Sequence, residues 1–293
     1  MRAGKWHIWL SATRPKTLPA AVCPVLVGSS LAYESGSFAW VPALLCLGFA
    51  LLIQVGTNFA NDYLDGIKGT DTKERIGPQR AVANGWIEAA VMRRAAIAVL
   101  AAAFCLGLGL IPFGGWWLLV VGIASVVCAW LYTGGPYPLA YHGLGDVFVV
   151  LFFGFVAVGC TYFVQSGMIE APVLWAGLAC GLLVNNILVV NNYRDRAEDS
   201  RSGKKTLAVV CGGTFVVWQF RLTLVLVAAL SVYLARVFEN PRLLLTLLAL
   251  LPACATAVQL PRLRGASAYL RALKISGLVV AAYGLVFFFA LIP

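Results

Sequence analysis

Apolar residues occur in runs that are long enough to cross a lipid bilayer. A transmembrane helix needs about 20 mostly apolar residues to cross a hydrocarbon core of about 30 Å. The pattern predicts nine such helices, over residues 18–34, 38–60, 95–112, 116–133, 146–165, 171–192, 214–235, 243–260 and 275–292. The chain is therefore predicted to be an all-α, multi-pass membrane protein in which residues 1–293 form a single transmembrane domain.

The composition supports this prediction and limits the possible chemistry. Hydrophobic residues make up 61% of the chain and charged residues 12%, whereas soluble domains carry roughly 25% charged residues. The 8 cysteines are scattered singly with no CxxC pair, which indicates packing residues and neither a zinc site nor disulfides. The sequence indicates no particular protein partner, and its oligomeric state stays open.

The distribution of basic residues predicts the orientation in the membrane. Residues 1–17 carry Trp6 and Trp9 and are predicted to form an amphipathic segment at the surface, with both tryptophans in the headgroup layer. Most Lys and Arg residues lie in this segment and in every second loop, which follows the positive-inside rule. The N-terminus is therefore predicted to be cytoplasmic, in the inner (cytoplasmic) membrane. The net charge of +10 then reflects topology and not nucleic-acid binding.

Two acidic motifs with the same spacing end the second and sixth predicted helices. Asn-x-Tyr-x-Asp occurs once from Asn61 to Asp65 and again from Asn191 to Asp195. Residues four apart lie on one face of a helix, so each motif is predicted to project its polar side chains together. An even number of crossings separates the motifs. The halves are therefore predicted to form a parallel repeat with both motifs on the cytoplasmic side.

Clustered carboxylates and amides without nearby His or Cys indicate a hard cation. Mg²⁺ takes oxygen ligands and is commonly bound by one or two carboxylates together with substrate phosphates. Basic loops are predicted to follow each motif, over residues 66–94 and 194–206, and to form cytoplasmic caps. These features favour a membrane enzyme that acts on a lipid diphosphate. A cation-coupled transporter is the alternative, although its acids would be expected near the middle of the bilayer.

Several stretches resemble the UbiA superfamily of intramembrane aromatic prenyltransferases, and within it the menaquinone-pathway branch. The stretches are RPKTLPA, NDYLDGIKGTD, GPQRAVANG, LYTGGPYPLAYHGLGD and NNYRDRAEDSRSGKKTLAV. The resemblance covers nearly the whole chain and implies a nine-helix bundle. One position departs from the family pattern, because Gly69 stands where many members have a third acid and Asp71 follows two residues later.

The resemblance implies transfer of a polyprenyl group from polyprenyl diphosphate to 1,4-dihydroxy-2-naphthoate, with release of diphosphate and CO₂. Sister enzymes with another aromatic acceptor are the alternative within the family. Mg²⁺, or Mn²⁺ in its place, is the implied cofactor.

The implied metal ligands are Asn61, Asp62, Asp65, Asp71, Asn191, Asp195 and Asp199. The implied diphosphate contacts are Lys68, Arg80 and Lys205, with Arg14 there or at the acceptor carboxylate. Asp65, Asp195 and the cation-stabilising Tyr137 are the implied catalytic residues, and Asn185 and Asn186 would orient the acceptor.

Overall fold

The computed structural model describes residues 4–69 and 80–292, and none of these residues lies in a β-strand. The α-helices are α1 Lys5–Ala12, α2 Pro19–Glu34, α3 Trp40–Lys68, α4 Ala89–Leu108, α5 Ile111–Gly114, α6 Trp117–Leu131, α7 Gly145–Val149, α8 Ala157–Ser166, α9 Ala171–Arg201, α10 Leu207–Val210, α11 Gly212–Val237, α12 Thr246–Gln259 and α13 Gly265–Leu291. A π-helical stretch, Val150–Val156, joins α7 to α8, so these three pieces form one continuous rod. The predicted all-helical architecture is confirmed.

Seven helical segments of the described chain are long and apolar enough to cross a membrane. They are α3, α4, the rod of residues 145–166, α9, α11, α13, and α12 together with the 3₁₀ turns that flank it, Pro241–Arg262. The apolar helix α6 is shorter, with 15 residues, and α2 has 16. These two helices occupy the places of the remaining predicted crossings. The chain is therefore an integral membrane protein, while the count of nine crossings stays a prediction.

Both acidic helices continue beyond the predicted span. Helix α3 ends at Lys68 and is followed by Gly69 with φ 68°, a left-handed conformation that suits glycine at a helix end. Helix α9 continues to Arg201, so residues 194–201 are helical and the loop predicted over 194–206 contains only 202–206. The loop predicted over 66–94 is likewise shortened, because α4 begins at Ala89. Polar residues extend a helix into water as readily as they form a loop, and the hydropathy pattern does not separate the two.

Helix α9 occupies the centre of the bundle. It packs against α2, α11, α13 and the rod of residues 145–166. Of its most apolar window, 72% is buried inside the protein, compared with 22% for α3 and for α4. Helix α9 is therefore largely shielded from lipid, which explains how it accommodates several asparagines.

Glycines allow α9 to approach the rod of residues 145–166 closely. A methyl group on Gly154 would come within 2.6 Å of the Gly177 carbonyl oxygen, and one on Gly181 within 2.8 Å of the Val150 oxygen. Small residues of this kind permit backbone contact between membrane helices. The π-helical stretch begins at this contact. Val149, which precedes it, and Phe153, which lies within it, line the cavity described below.

The N-terminal segment lies against the acidic end of α3. Trp6 on α1 is 77% exposed, in line with the predicted headgroup position. Trp9 instead packs edge-to-face on Phe59, with ring centroids 5.6 Å apart. The segment is thereby attached to the bundle through one of its two tryptophans.

Candidate active site

A cavity of about 290 Å³ lies among α2, α3, α6, α9 and the rod of residues 145–166. Its polar end is lined by Arg14, Asn61 and Asn191, which are close to the two acidic motifs. Its other end is apolar and is lined by Val25, Cys46, Phe49, Leu110, Leu118 and Val121. The cavity therefore has an apolar interior and a polar end beside the motif ends of α3 and α9. The polar end, with Arg14, Asn61 and Asn191, is the mouth of the cavity.

Asp65 lies one helical turn beyond the cavity-lining Asn61 and is contacted by side chains from three other segments. Its side chain is buried, and one carboxylate oxygen accepts hydrogen bonds from the Tyr141 hydroxyl at 3.1 Å and from Lys204 Nζ at 3.2 Å. The other oxygen lies 3.6 Å from a guanidinium nitrogen of Arg80. The Asp65 carboxylate is thus in contact with side chains from the loop before α4, the loop after α6 and the loop after α9.

Asn61 belongs to the same assembly, one turn before Asp65 on α3. The Thr133 hydroxyl donates a hydrogen bond of 2.7 Å to its amide oxygen, and Lys68 Nζ donates one of 2.6 Å to the Thr133 carbonyl. Lys68 and Lys204 lie over the ring of Tyr141, at 4.6 and 4.8 Å from its centroid. Two ammonium groups are therefore held beside the mouth by cation–π contacts.

Asp62 holds the backbone of the neighbouring loop. Its two carboxylate oxygens accept hydrogen bonds of 3.0 Å from the backbone N–H groups of Ala81 and Val82. Asp62 is 2% exposed and does not line the cavity. The residue next to Ala81 is Arg80, so the carboxylate of Asp62 fixes the turn that brings Arg80 to Asp65.

The second motif lies on the last turns of α9. Asp195 is paired with its neighbour Arg194 through two hydrogen bonds of 2.6 and 2.7 Å. Asp199 follows one turn later and is buried, and its carbonyl accepts the backbone N–H of Lys204 at 2.9 Å. Because the side chain of Lys204 reaches Asp65, the loop after α9 links the two motifs directly.

The donor set around the mouth suits a cation that is completed by phosphate oxygens. Within 4–69 and 80–292 there is no group of three or more His, Cys, Asp or Glu side chains that could hold a metal ion by itself. Each helix instead offers carboxylates together with asparagine: Asn61 and Asp65 on α3, and Asn191, Asp195 and Asp199 on α9. Such a set fits Mg²⁺, which is usually bound by one or two carboxylates and by substrate phosphates.

Two predicted site residues lie away from the cavity. Tyr137 is 57% exposed and stacks on His142, with ring centroids 3.5 Å apart. Lys205 is exposed, whereas its neighbour Lys204 reaches the site. Tyr137 and Lys205 are therefore replaced by Tyr141 and Lys204 as the tyrosine and lysine in contact with the first motif. Asp71 lies outside the described residues.

The two predicted acceptor contacts on α9 also point elsewhere. Asn185 donates a hydrogen bond of 3.0 Å to Asp146, which accepts a second one of 2.6 Å from Gln219. Asn186 is 2% exposed, and neither asparagine lines the cavity. Because α9 is central, a polar residue on it can face a neighbouring helix as easily as the substrate cavity.

Three residues of the site were not assigned by the sequence analysis. Lys204, Tyr141 and Thr133 lie in the loops after α9 and α6, where no periodicity indicates orientation. Gly203, which precedes Lys204, has a left-handed backbone conformation with φ 77°, and a glycine of this kind is typical of the end of a helix. The other two stand in the loop of residues 132–144, which contains three tyrosines and no Lys or Arg, so the positive-inside rule does not explain its composition.

Comparison with known proteins gives concordant results. The model of the UbiA prenyltransferase family matches residues 21–291. A protein of Haemophilus influenzae named 1,4-dihydroxy-2-naphthoate octaprenyltransferase is 39% identical over 221 residues, which cover 71% of this chain and 70% of that protein. A protein of the same name from Mycobacterium tuberculosis is 41% identical over 204 residues, covering 70% of each chain.

A solved structure shares the fold at low sequence identity. It is that of a UbiA homolog from Archaeoglobus fulgidus bound to DMAPP and Mg²⁺, with a TM-score of 0.67 and 14% identity. The match covers 96% of this chain and 99% of the other. The architecture of the bundle therefore agrees with that of the family along almost its whole length.

Proposed function

The chain belongs to the UbiA prenyltransferase family, and we propose that it transfers a polyprenyl group from polyprenyl diphosphate to 1,4-dihydroxy-2-naphthoate. The relatives named for this reaction, at 39% and 41% identity over most of the chain, support the choice of acceptor. Their names also make octaprenyl diphosphate the first donor to test. Membership in an enzyme family displaces the transporter alternative.

The observation that carries the proposal is that Asp65 and Lys204 meet one helical turn from Asn61, and Asn61 lines the polar end of an apolar cavity. A polyprenyl diphosphate has a highly charged head and a long hydrocarbon tail. The charged mouth matches the head, and the lining from Phe49 to Leu118 matches the tail. Few other substrates need both environments side by side within one membrane protein.

Asn61, Asp65, Asn191, Asp195 and Asp199 would hold Mg²⁺ ions together with the diphosphate oxygens. When bound, Mg²⁺ neutralises charge on the diphosphate as the bond to carbon breaks. Asp62 is left out of this set because its two carboxylate oxygens are directed at the backbone N–H groups of the loop before α4, at Ala81 and Val82.

The basic side chains near the mouth would also neutralise charge on the leaving diphosphate. Lys68, Arg80 and Lys204 would donate hydrogen bonds to diphosphate oxygens, and such charge-assisted bonds strengthen as negative charge accumulates on the leaving group. In the reaction the bond between the allylic carbon and the diphosphate oxygen breaks, and the ring carbon that carries the carboxylate supplies the electron pair for the new carbon–carbon bond. The carboxylate then leaves that carbon as CO₂, and the electrons of the broken carbon–carbon bond restore the aromatic ring.

The apolar part of the cavity protects this reaction from water. An allylic cation is captured by any nucleophile, so water must be kept from it until the acceptor ring attacks. Phe148, Phe152 and Phe153 line the wall contributed by the rod of residues 145–166. In the proposed reaction these rings would exclude water and stabilise a developing cation.

The proposed reaction is tested by incubating the purified protein with Mg²⁺, octaprenyl diphosphate and a panel of aromatic acids. We expect a prenylated product from 1,4-dihydroxy-2-naphthoate with one CO₂ per turnover, and no product when EDTA is present. Mn²⁺ is expected to restore activity after EDTA is removed. Faster turnover of 4-hydroxybenzoate would assign the chain to a sister enzyme, and undiminished turnover in EDTA would contradict the metal site.

The proposed orientation places the N-terminus and both motifs on the cytoplasmic side. Glu88 is exposed and lies just before α4, so a cysteine introduced there should react with a membrane-impermeant reagent only from the cytoplasmic face. The native exposed cysteines Cys105, Cys211 and Cys254 would first be replaced. Labelling from the opposite face would reverse the assignment.

A further inference from the structure

One wall of the cavity carries polar side chains below the motif residues of α3. Asn58 and Gln54 precede Asn61 by three and seven residues, and both line the cavity. At 1.5 Å per residue they lie roughly 4.5 and 10.5 Å further along the helix axis. The wall facing them is contributed by α6 and the rod of residues 145–166 and is mainly apolar. The cavity thus has a polar side and an apolar side below the charged mouth.

The amide nitrogens of this wall are already engaged by the N-terminal segment. Gln54 Nε2 and Asn58 Nδ2 each lie 3.3 Å from the Thr17 hydroxyl oxygen, and Asn58 Nδ2 also donates to the Thr13 carbonyl at 3.0 Å. Thr17 in turn donates to the Arg14 carbonyl at 3.0 Å. Asn58 directs both of its N–H groups at these oxygens and Gln54 directs one of its two, and the carbonyl oxygen of each amide is a hydrogen-bond acceptor.

Arg14 lies at the upper end of the same wall. It lines the cavity and has a left-handed backbone conformation with φ 52° and ψ 66°. This conformation is unfavourable for a residue with a side chain and is found often at functional sites. The hydrogen bonds from Thr17 and Asn58 hold the turn in place. They therefore fix the backbone position of Arg14, from which its side chain extends between the polar end of the cavity and the wall that carries Asn58 and Gln54.

We infer that Arg14, Asn58 and Gln54 form the binding site for the acceptor, a hydroxylated aromatic carboxylic acid. This inference rests on the proposed function and replaces the predicted contacts at Asn185 and Asn186. The guanidinium of Arg14 pairs with the acceptor carboxylate. The amide oxygens accept hydrogen bonds from the ring hydroxyls, with Gln54, the deeper residue, at the hydroxyl farther from the carboxylate.

The position of this wall satisfies the geometry that the reaction needs. The diphosphate is held at Asn61 and Asp65, so the reactive carbon of the donor lies just below them. An acceptor ring against Asn58, one helical turn lower, is within reach of that carbon, and attack requires a separation of about 3–3.5 Å. The prenyl tail then follows the apolar wall of α6 and the rod of residues 145–166, and the two substrates occupy opposite sides.

The test compares Gln54→Met with a matched control on the same helix. Methionine is similar in size but has no oxygen to accept a hydroxyl hydrogen bond. Thr57→Val is the control, because Thr57 lines the cavity but its hydroxyl already donates to the Ile53 carbonyl at 2.7 Å. Each protein is assayed with 1,4-dihydroxy-2-naphthoate and with 1-hydroxy-2-naphthoate, which lacks the far hydroxyl, at saturating polyprenyl diphosphate.

We expect the wild type to prefer the dihydroxy acceptor by at least about tenfold in kcat/KM, as one hydrogen bond of this kind provides. Gln54→Met should lose that preference while the KM for polyprenyl diphosphate stays unchanged, and Thr57→Val should keep both properties. A merely structural role of Gln54 would lower turnover of both acceptors equally, and that outcome would overturn the inference.

The failure of this inference is distinguishable from failure of the proposed function. A wild type that prenylates neither naphthoate contradicts the proposed function itself. A wild type that prefers the dihydroxy acceptor, together with a Gln54→Met protein that keeps the preference, refutes only the subsite. If Gln54→Met does not fold, Gln54→Ala removes the same oxygen without filling the space, and the same loss of preference is expected from it.

Discussion

The ends of α3 and α9 carry the same Asn-x-Tyr-x-Asp pattern but have different surroundings. Asp65 on α3 contacts groups from three other segments, through Tyr141, Lys204 and Arg80. Asp195 on α9 is paired with Arg194, its own neighbour in the chain. A repeated sequence pattern therefore does not imply repeated interactions. The contacts described for Asp65 come from distant loops, whereas the ion pair described for Asp195 joins two neighbours on one helix.

The largest expected effect tests whether the two ends act as one site. Asp65→Asn and Asp195→Asn should each lower the rate by about 10²-fold or more, because each removes stabilisation of charge that develops in the transition state. The double variant should be little worse than the worse single variant, since residues that act on one leaving group are not additive. Initial rates of product formation measure all three.

Losses that multiply would show that the two carboxylates work independently. A small loss of rate for Asp195→Asn beside a large loss for Asp65→Asn would show that only the α3 end contributes to the reaction. Binding of the aromatic acceptor, measured separately, should persist in all three variants, since its proposed contacts lie lower in the cavity.

The second prediction concerns the loop that joins the two ends. Lys204→Met should raise the KM for polyprenyl diphosphate and lower kcat/KM by about tenfold or more, since it removes a charged hydrogen-bond donor from the mouth. Lys205→Met is the matched control, because it removes the same charge from the same loop at an exposed position. Equal losses in the two variants would indicate a general effect of loop charge.

The third prediction compares two tyrosines of the loop after α6. Tyr141→Phe removes the hydroxyl that donates to Asp65 but keeps the ring beneath Lys68 and Lys204. We expect a loss in kcat/KM of up to about tenfold, the usual value of one hydrogen bond. Tyr137→Phe should leave the rate nearly unchanged because Tyr137 stacks on His142 away from the cavity. A larger loss for Tyr137→Phe than for Tyr141→Phe would instead support the cation-stabilising role that the resemblance implies for Tyr137.

The comparison also shows what the sequence could predict. The membrane helices and the two motifs follow from hydropathy and from the four-residue spacing, because both properties are local. The lengths of α3 and α9 were underestimated, since Asp195 and Asp199 lie on helical turns whose polar composition also suits a loop.

The orientation of individual side chains depended on contacts that no local pattern encodes. Lys204 and Lys205 are adjacent and chemically identical, yet only Lys204 is in contact with Asp65, while Lys205 is exposed. The family resemblance implies that Asn185 orients the acceptor. In the structure its amide nitrogen donates to Asp146, a partner that the packing of α9 against the rod of residues 145–166 supplies.

The smallest expected effect separates Asp62 from its neighbour in the first motif. Asp62→Asn keeps the shape of the side chain, but an amide has one acceptor oxygen where the carboxylate offers two to Ala81 and Val82. The amide N–H₂ group would face a backbone donor, so the turn that places Arg80 beside Asp65 should loosen. We expect a rise of only a few-fold in the KM for polyprenyl diphosphate, on the order of one weakened hydrogen bond, with kcat nearly preserved and the Mg²⁺ dependence unchanged. Arg80→Met combined with Asp62→Asn should be no worse than Arg80→Met alone, because Asp62 acts through Arg80. A loss in kcat as large as that of Asp65→Asn, accompanied by a higher Mg²⁺ requirement, would instead make Asp62 a metal ligand and restore the ligand set that the sequence predicted.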